Sequence, residues 1–152
     1  MAEAIILMLT ILRTVAWVPG HQHEKAEQFL FQSEAELAKV WKADGENLAQ
    51  KPAADMSAVD FKKEMVLAAF KGQCNTGGHS ITIEKVIYAA GDQELAVIYR
   101  QRSPDKDDMV TQALTYPSHV VVVEKKEVQK VTWLEADSKA GKAALEAVGK
   151  AK

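Results

Sequence analysis

Met65-Val66-Leu67-Ala68-Ala69-Phe70, then Gly72-Gln73-Cys74-Asn75-Thr76-Gly77-Gly78-His79-Ser80, then Ile81-Thr82-Ile83-Glu84-Lys85-Val86-Ile87-Tyr88, is the stretch that decides how this chain is read. The first run is apolar at every position. A strand there needs cover on both faces, which predicts a central position in a sheet. The last run alternates, and Ile81, Ile83 and Ile87 are expected to share one face. Between the runs, two adjacent glycines predict positive φ or close approach by another group. The stretch therefore predicts two strands joined through a Gly-rich turn.

Working outward, strand signal dominates toward the C-terminus. Residues 80–88 and 94–101 flank Ala89-Ala90-Gly91-Asp92-Gln93, which predicts a hairpin. Ser103-Pro104-Asp105-Lys106-Asp107-Asp108 reads as a charged loop. Val120-Val121-Val122-Val123 is again apolar on both faces and is expected to pair with residues 128–134 across Glu124-Lys125-Lys126-Glu127. Upstream, residues 11–18 read as a strand ended by Pro19-Gly20, and His21-Gln22-His23-Glu24 as polar loop. Residues 25–32 form a strand signal around Phe29 and Phe31, and Ser33-Glu34-Ala35-Glu36 matches a capping box, with Glu36 reaching back to the Ser33 amide. The helix it opens carries Leu37, Val40 and Trp41 on one face and is ended by Asp44-Gly45; residues 50–58, with Pro52, read as a surface connection. One helix and six or seven strands predict an α+β protein, a single curled antiparallel sheet or open barrel with one main helix packed on it.

The chain divides into a domain over residues 1–137 and an Ala/Lys-rich tail over residues 138–152, read as a frayed helix or disordered. Leu145 and Val148 make at most one weak apolar stripe, and Gly141 and Gly149 each cost about 1 kcal/mol against Ala in a helix. That tail is expected to be dispensable for folding.

At 152 residues the chain suits one domain with a sizeable core. The apolar and charged fractions, 47% and 26%, are those of an ordinary globular protein. A net charge of −2 supplies no global field that would recruit nucleic acid or anionic lipid. One cysteine, Cys74, excludes an internal disulfide. Ala4-Ile5-Ile6-Leu7-Met8-Leu9-Thr10-Ile11-Leu12 is long enough for a signal-peptide core. Glu3 stands where a basic start is expected and no small-x-small pattern follows, so the stretch reads first as a strand of the mature protein, with a degenerate export signal as the alternative. It is too short to span a bilayer.

Catalytic and metal motifs are incomplete. The Gly72–Ser80 stretch resembles a phosphate-binding loop, but Gly78 stands where its lysine belongs, and a strand follows where a helix is needed. Cys74 and His79 lie five apart across a turn, with no basic cluster to activate the thiol. His21, His23 and Glu24 fall short of a zinc ligand set, and the remaining histidines, His79 and His119, lie in other segments. Asp60, Glu64 and Glu84 are carboxylates near the turn in sequence, with no assignable acid–base role. Trp17, Trp41 and Trp133 sit in separate elements and read as core anchors. No cofactor and no metal is expected.

The chain resembles the PrcB-like family, named for a subunit that stabilises a secreted protease complex. The resemblance runs from about Phe29 to Leu134. It rests on Leu37 to Trp41, Val59-Asp60-Phe61, Gly72 leading into Thr76-Gly77-Gly78, Ile81-Thr82-Ile83, and Thr115-Tyr116-Pro117. The family pattern has Tyr after the two glycines, where this chain has His79. The resemblance implies a non-catalytic accessory domain of the bacterial envelope or exterior that binds another protein, a peptidase among the candidates; the absence of a clear signal points instead to the cytoplasm. The expected partner surface comprises Asn75, Thr76, Gly77, Gly78, His79, Arg100 and Pro117 with the 103–108 loop, because loops on a rigid sheet commonly carry recognition. The alternative is a small hydrolase whose site near the Gly-rich turn uses His79 with Asp60, Glu84 or Arg100.

Overall fold

A computed structural model describes residues 6–15, 25–44 and 59–150. Within them the elements are β1 (Ile6–Leu9), β2 (Ile11–Val15), β3 (Glu27–Phe31), α1 (Glu34–Asp44), β4 (Glu64–Phe70), β5 (Ser80–Ala89), β6 (Glu94–Arg102), β7 (Ser118–Glu124), β8 (Lys130–Glu135) and α2 (Lys139–Lys150). The strands form two four-stranded sheets, β1-β5-β6-β8 and β2-β7-β4-β3. This corrects the expected α+β architecture. The described residues are mostly β, in two sheets with no closed barrel, and they carry two short helices instead of one main helix. Trp17, Pro19-Gly20, His21, His23 and the 50–58 connection lie outside the described residues, as do the side chains of Trp41 and Val148.

Two local causes divide the strands between sheets. The N-terminal segment changes sheet at Thr10: Leu9 pairs with Val86 of β5, whereas Ile11 pairs with Val123 of β7. The second cause is the placement of the valine strand. As expected of strands apolar on both faces, β4 and β7 are the inner strands of their sheet, and β7 has β2 on one edge and β4 on the other. With both edges taken, it has no backbone groups left for residues 130–135. The expected hairpin across residues 124–127 therefore does not form. The chain crosses to the other sheet, where β8 pairs parallel to β6. Lys125 holds the crossing by donating from Nζ to the carbonyls of Gln32 (3.1 Å) and Phe61 (2.5 Å), and Tyr88 donates its hydroxyl proton to the Glu127 carbonyl at 2.7 Å.

Three apolar clusters follow. Between the sheets lie Met65, Leu67, Val121 and Val123 from one side and Ile81, Ile83, Val86, Tyr88, Leu95 and Val97 from the other. Trp133 packs at the margin of this core, edge-on to Tyr99 with ring centroids 6.2 Å apart. The outer face of the second sheet, with Phe31, Val66, Phe70 and Val122, is covered by Leu37 and Val40 of α1. On the outer face of the first sheet, Ile87 and Ile98 meet Ala144 and Leu145 of α2.

The register of β5 explains why Ile87 leaves the face of Ile81 and Ile83. The ladder with β6 shifts between Ile83 and Lys85. One extra residue, Glu84, reverses the alternation, so Val86 and Tyr88 join Ile81 and Ile83 in the inter-sheet core and Ile87 turns outward beneath α2. The sequence alternation is real but changes phase midway.

Both helices are capped locally. The Ser33 hydroxyl accepts the Glu36 amide at 3.2 Å, while the Glu36 carboxylate accepts the amide of Gln32 (2.7 Å), one residue before the position a standard capping box uses. At α2, the Ser138 hydroxyl accepts the Gly141 amide at 3.0 Å and donates to the Glu135 carbonyl at 2.6 Å. The stretch expected to be a frayed helix or disordered is helical over Lys139–Lys150 and packs on the first sheet through Ala144 and Leu145.

Candidate partner-binding site

The Gly-rich turn lies between β4 and β5 and is braced by the long connection from β6 to β7. Cys74 and Thr115 form an antiparallel bridge, each amide donating to the other's carbonyl at 2.8 Å. The Gly77 amide donates to the Thr111 carbonyl (2.9 Å), the Lys71 amide to the Pro117 carbonyl (3.0 Å), and the Thr115 hydroxyl to the Thr76 carbonyl (2.8 Å). The two loops are tied together along their length, which leaves few backbone groups for a partner to reorganise.

Only one of the paired glycines needs to be glycine. Gly78 has φ +87°, and a Cβ there would lie 3.1 Å from both Pro104 Cβ and Val110 Cγ1. At Gly77 the nearest atom to an added Cβ is Thr111 Cβ at 3.5 Å, an ordinary contact. Gly78 serves both purposes expected of the pair, and Gly77 contributes its amide.

His79 faces a lysine. Lys71 Nζ lies 3.0 Å from His79 Nδ1 and 2.8 Å from Ser103 Oγ, and it also donates to the Arg102 carbonyl. A lysine ammonium has only protons to give, so His79 accepts through Nδ1 and carries its own proton on Nε2. A serine hydroxyl at this distance from a lysine amine is also what a Ser–Lys nucleophile pair requires. Here the three protons of Nζ meet three acceptors, and no lone pair is directed at Ser103. The arrangement is a clamp that joins the end of β4, the end of the Gly-rich turn and the end of β6.

The carboxylates proposed for His79 are engaged elsewhere. Glu84 and Asp137 both take Arg100, at 3.0 and 2.6 Å. Glu64, the first residue of β4 at its opposite end, receives a two-pronged contact from Arg13 (2.8 and 2.9 Å) and the Asp60 amide (3.1 Å). The Arg13 hydrogen bonds hold its carboxyl down to about 2. Asp60 caps the turn before β4, its carboxylate accepting the Lys62 amide at 3.0 Å. Cys74 is half-buried, with Sγ 3.7 Å from the Gly72 carbonyl. Among the described residues, no three His, Cys, Asp or Glu side chains are gathered as a metal site would require.

Of the sequence-derived surface residues, the fold brings Asn75, Thr76, Gly77, Gly78, His79 and Pro117 to the braced loop pair, while Arg100 is occupied by Glu84 and Asp137. Sequence reasoning missed Met109 and Leu114, exposed at 101% and 56% on the bracing loop. The run Asp107-Asp108-Met109 held a usable signal, since a large apolar residue after two acids in a Pro-bounded loop has no core to enter.

The architecture is that of a two-sheet β domain presenting a braced loop surface. Residues 65–124, from β4 through β7, match the family model described as PrcB C-terminal, so this central part of the chain is similar to that family. The match takes in the Gly-rich turn and its bracing loop. No curated protein matches the chain, and no solved structure does. No helix among the described residues is long and apolar enough to cross a membrane.

Proposed function

We propose that the protein is a non-catalytic accessory domain that binds another protein, a peptidase subunit by family resemblance, through the braced loop pair of residues 72–79 and 103–117. The observation that carries this reading is Met109, a fully exposed methionine held at the tip of a loop tied down by backbone bonds on its way back to β7. Interfaces concentrate their binding energy in a few apolar or aromatic anchors seated in partner pockets, and methionine is enriched among interface residues. Leu114 supplies a second anchor, with Asn75 and Asp105 to Asp108 as polar rim. The engagement of His79 by Lys71 supports binding over the hydrolase alternative. The same resemblance favours the bacterial envelope or exterior as the setting.

The test is affinity capture from native cell extract with the wild type and a Met109→Asp/Leu114→Asp variant, read by mass spectrometry. A peptidase subunit retained by the wild type and lost by the folded variant is the expected result. Equal retention by both, or retention of no peptidase by either, overturns the reading.

A further inference from the structure

His119, the second residue of β7, shares the alternation that sends Val121 and Val123 into the inter-sheet core, and its imidazole reaches the facing sheet. There Nδ1 accepts the amide of Ile83 at 2.8 Å, beside the register shift in β5. Nε2 lies 3.5 Å from the Thr14 hydroxyl of β2. One half-buried side chain thus joins β7, β5 and β2 at the roots of the two braced loops: Pro117 is two residues before it and Ser80 three before Ile83. Because Nδ1 accepts, the ring is neutral with its proton on Nε2.

We propose that His119 is an acid-sensitive latch between the two sheets. Protonation places an N–H where Ile83 already presents one, so the latch opens and the loop roots separate from β7. A glutamine or asparagine would supply an acceptor at any pH; histidine supplies one only above its own titration.

The charged groups of the surrounding elements leave this titration to burial. Arg13 of β2 and Glu64 of β4 hold each other, and Glu84 of β5 holds Arg100. Lys71, just after β4, is held with His79 and Ser103, and Lys85 of β5 is exposed. Desolvation pushes His119 below its ordinary 6.5, so the latch is closed at neutral pH and opens on acidification below that value. The direction follows from linkage: the unfolded chain takes up the proton first, so the contribution is complete above about 6.5 and is lost as the pH falls through the lower folded value.

The test follows the His119 ring and the Ile83 amide of the wild-type protein by NMR between pH 7.5 and 4.5. Above neutrality the ring nitrogen shifts should report the Nε2–H tautomer. Ile83 exchange protection, corrected for intrinsic rate, should fall at least about tenfold with the midpoint of the ring titration, the loss of one hydrogen bond worth about 1.4 kcal/mol. In His119→Gln that pH dependence should vanish. An Nδ1–H tautomer, or Ile83 protection that ignores the ring's titration, overturns the latch.

Discussion

At the residue scale, stereochemistry sorts positions that the sequence presents as equals. Gly77 and Gly78 are adjacent and chemically identical, but only Gly78 has positive φ and a crowded Cβ position. Gly78→Ala should therefore destabilise by at least about 1 kcal/mol, the usual left-handed penalty for an L-residue, whereas Gly77→Ala should leave the melting temperature nearly unchanged. Thermal unfolding of the two variants checks this, and equal losses would show that the pair acts through something other than φ. A second expectation concerns Glu64, whose carboxyl is held at about 2 against an ordinary 4.5. Its folded value lies below its unfolded one, so the Arg13 contact contributes above pH 4.5 and is lost as the pH falls toward 2. In Glu64→Gln the stability–pH curve should be flatter across that window, as urea midpoints from pH 5 to 2.5 will report. The turn was legible in the sequence because paired glycines announce a backbone constraint; which glycine bears it depends on Pro104 and Val110, distant in sequence. The lysine facing His79 was not legible for the same reason, since Lys71 and Ser103 meet only after three strands are placed.

At the scale of elements, α2 shows how a residue that weakens a helix can be required by it. Gly141 costs about 1 kcal/mol in helix propensity against Ala. A Cβ at that position would stand 2.0 Å from the Glu135 carbonyl oxygen, a backbone atom that cannot swing aside. The clash outweighs the propensity, so Gly141→Ala should destabilise the protein even though it favours the isolated helix, while the reverse change at exposed Ala140, Ala140→Gly, should cost only the propensity. Melting temperatures for both variants, with helicity of the isolated 138–152 peptide as reference, separate the two effects. Truncation after Asp137 should also lower the melting temperature by several degrees, because Ile87 and Ile98 lose Ala144 and Leu145. The Ala/Lys composition suggested a dispensable tail because composition records propensity but not the face that awaits the helix. That face was itself hidden by the bulge at Glu84, which turns Ile87 away from Ile81 and Ile83. The inner strands, the β5–β6 hairpin and the α1 cap were legible because each is written in contiguous residues.

At the scale of the molecule, the two sheets share the inner core, and each adds a smaller cluster beneath a helix on its outer face. Urea unfolding followed by far-UV circular dichroism and by tryptophan fluorescence should give coincident single transitions, and two resolved midpoints would show that the sheets are independent units. The two-sheet arrangement was not legible because nothing in Leu9-Thr10-Ile11 marks a change of sheet, and nothing in residues 124–127 marks a crossing instead of a turn. The N-terminal segment has a consequence in time as well as in space. Its first half waits for residues 86–89 and its second for residues 120–123, so this stretch, made before both of its partners, is among the last to find its neighbours. Closing so long a loop adds little entropy per residue but delays productive encounters, which makes non-local β topologies slow to fold. During that delay, Ile6 to Leu12 travels as an uncharged β-prone segment, the kind that seeks any open strand edge. The segment therefore stays unpaired until the valine strand arrives, and the yield of folded protein in the cell should depend on what holds it until then.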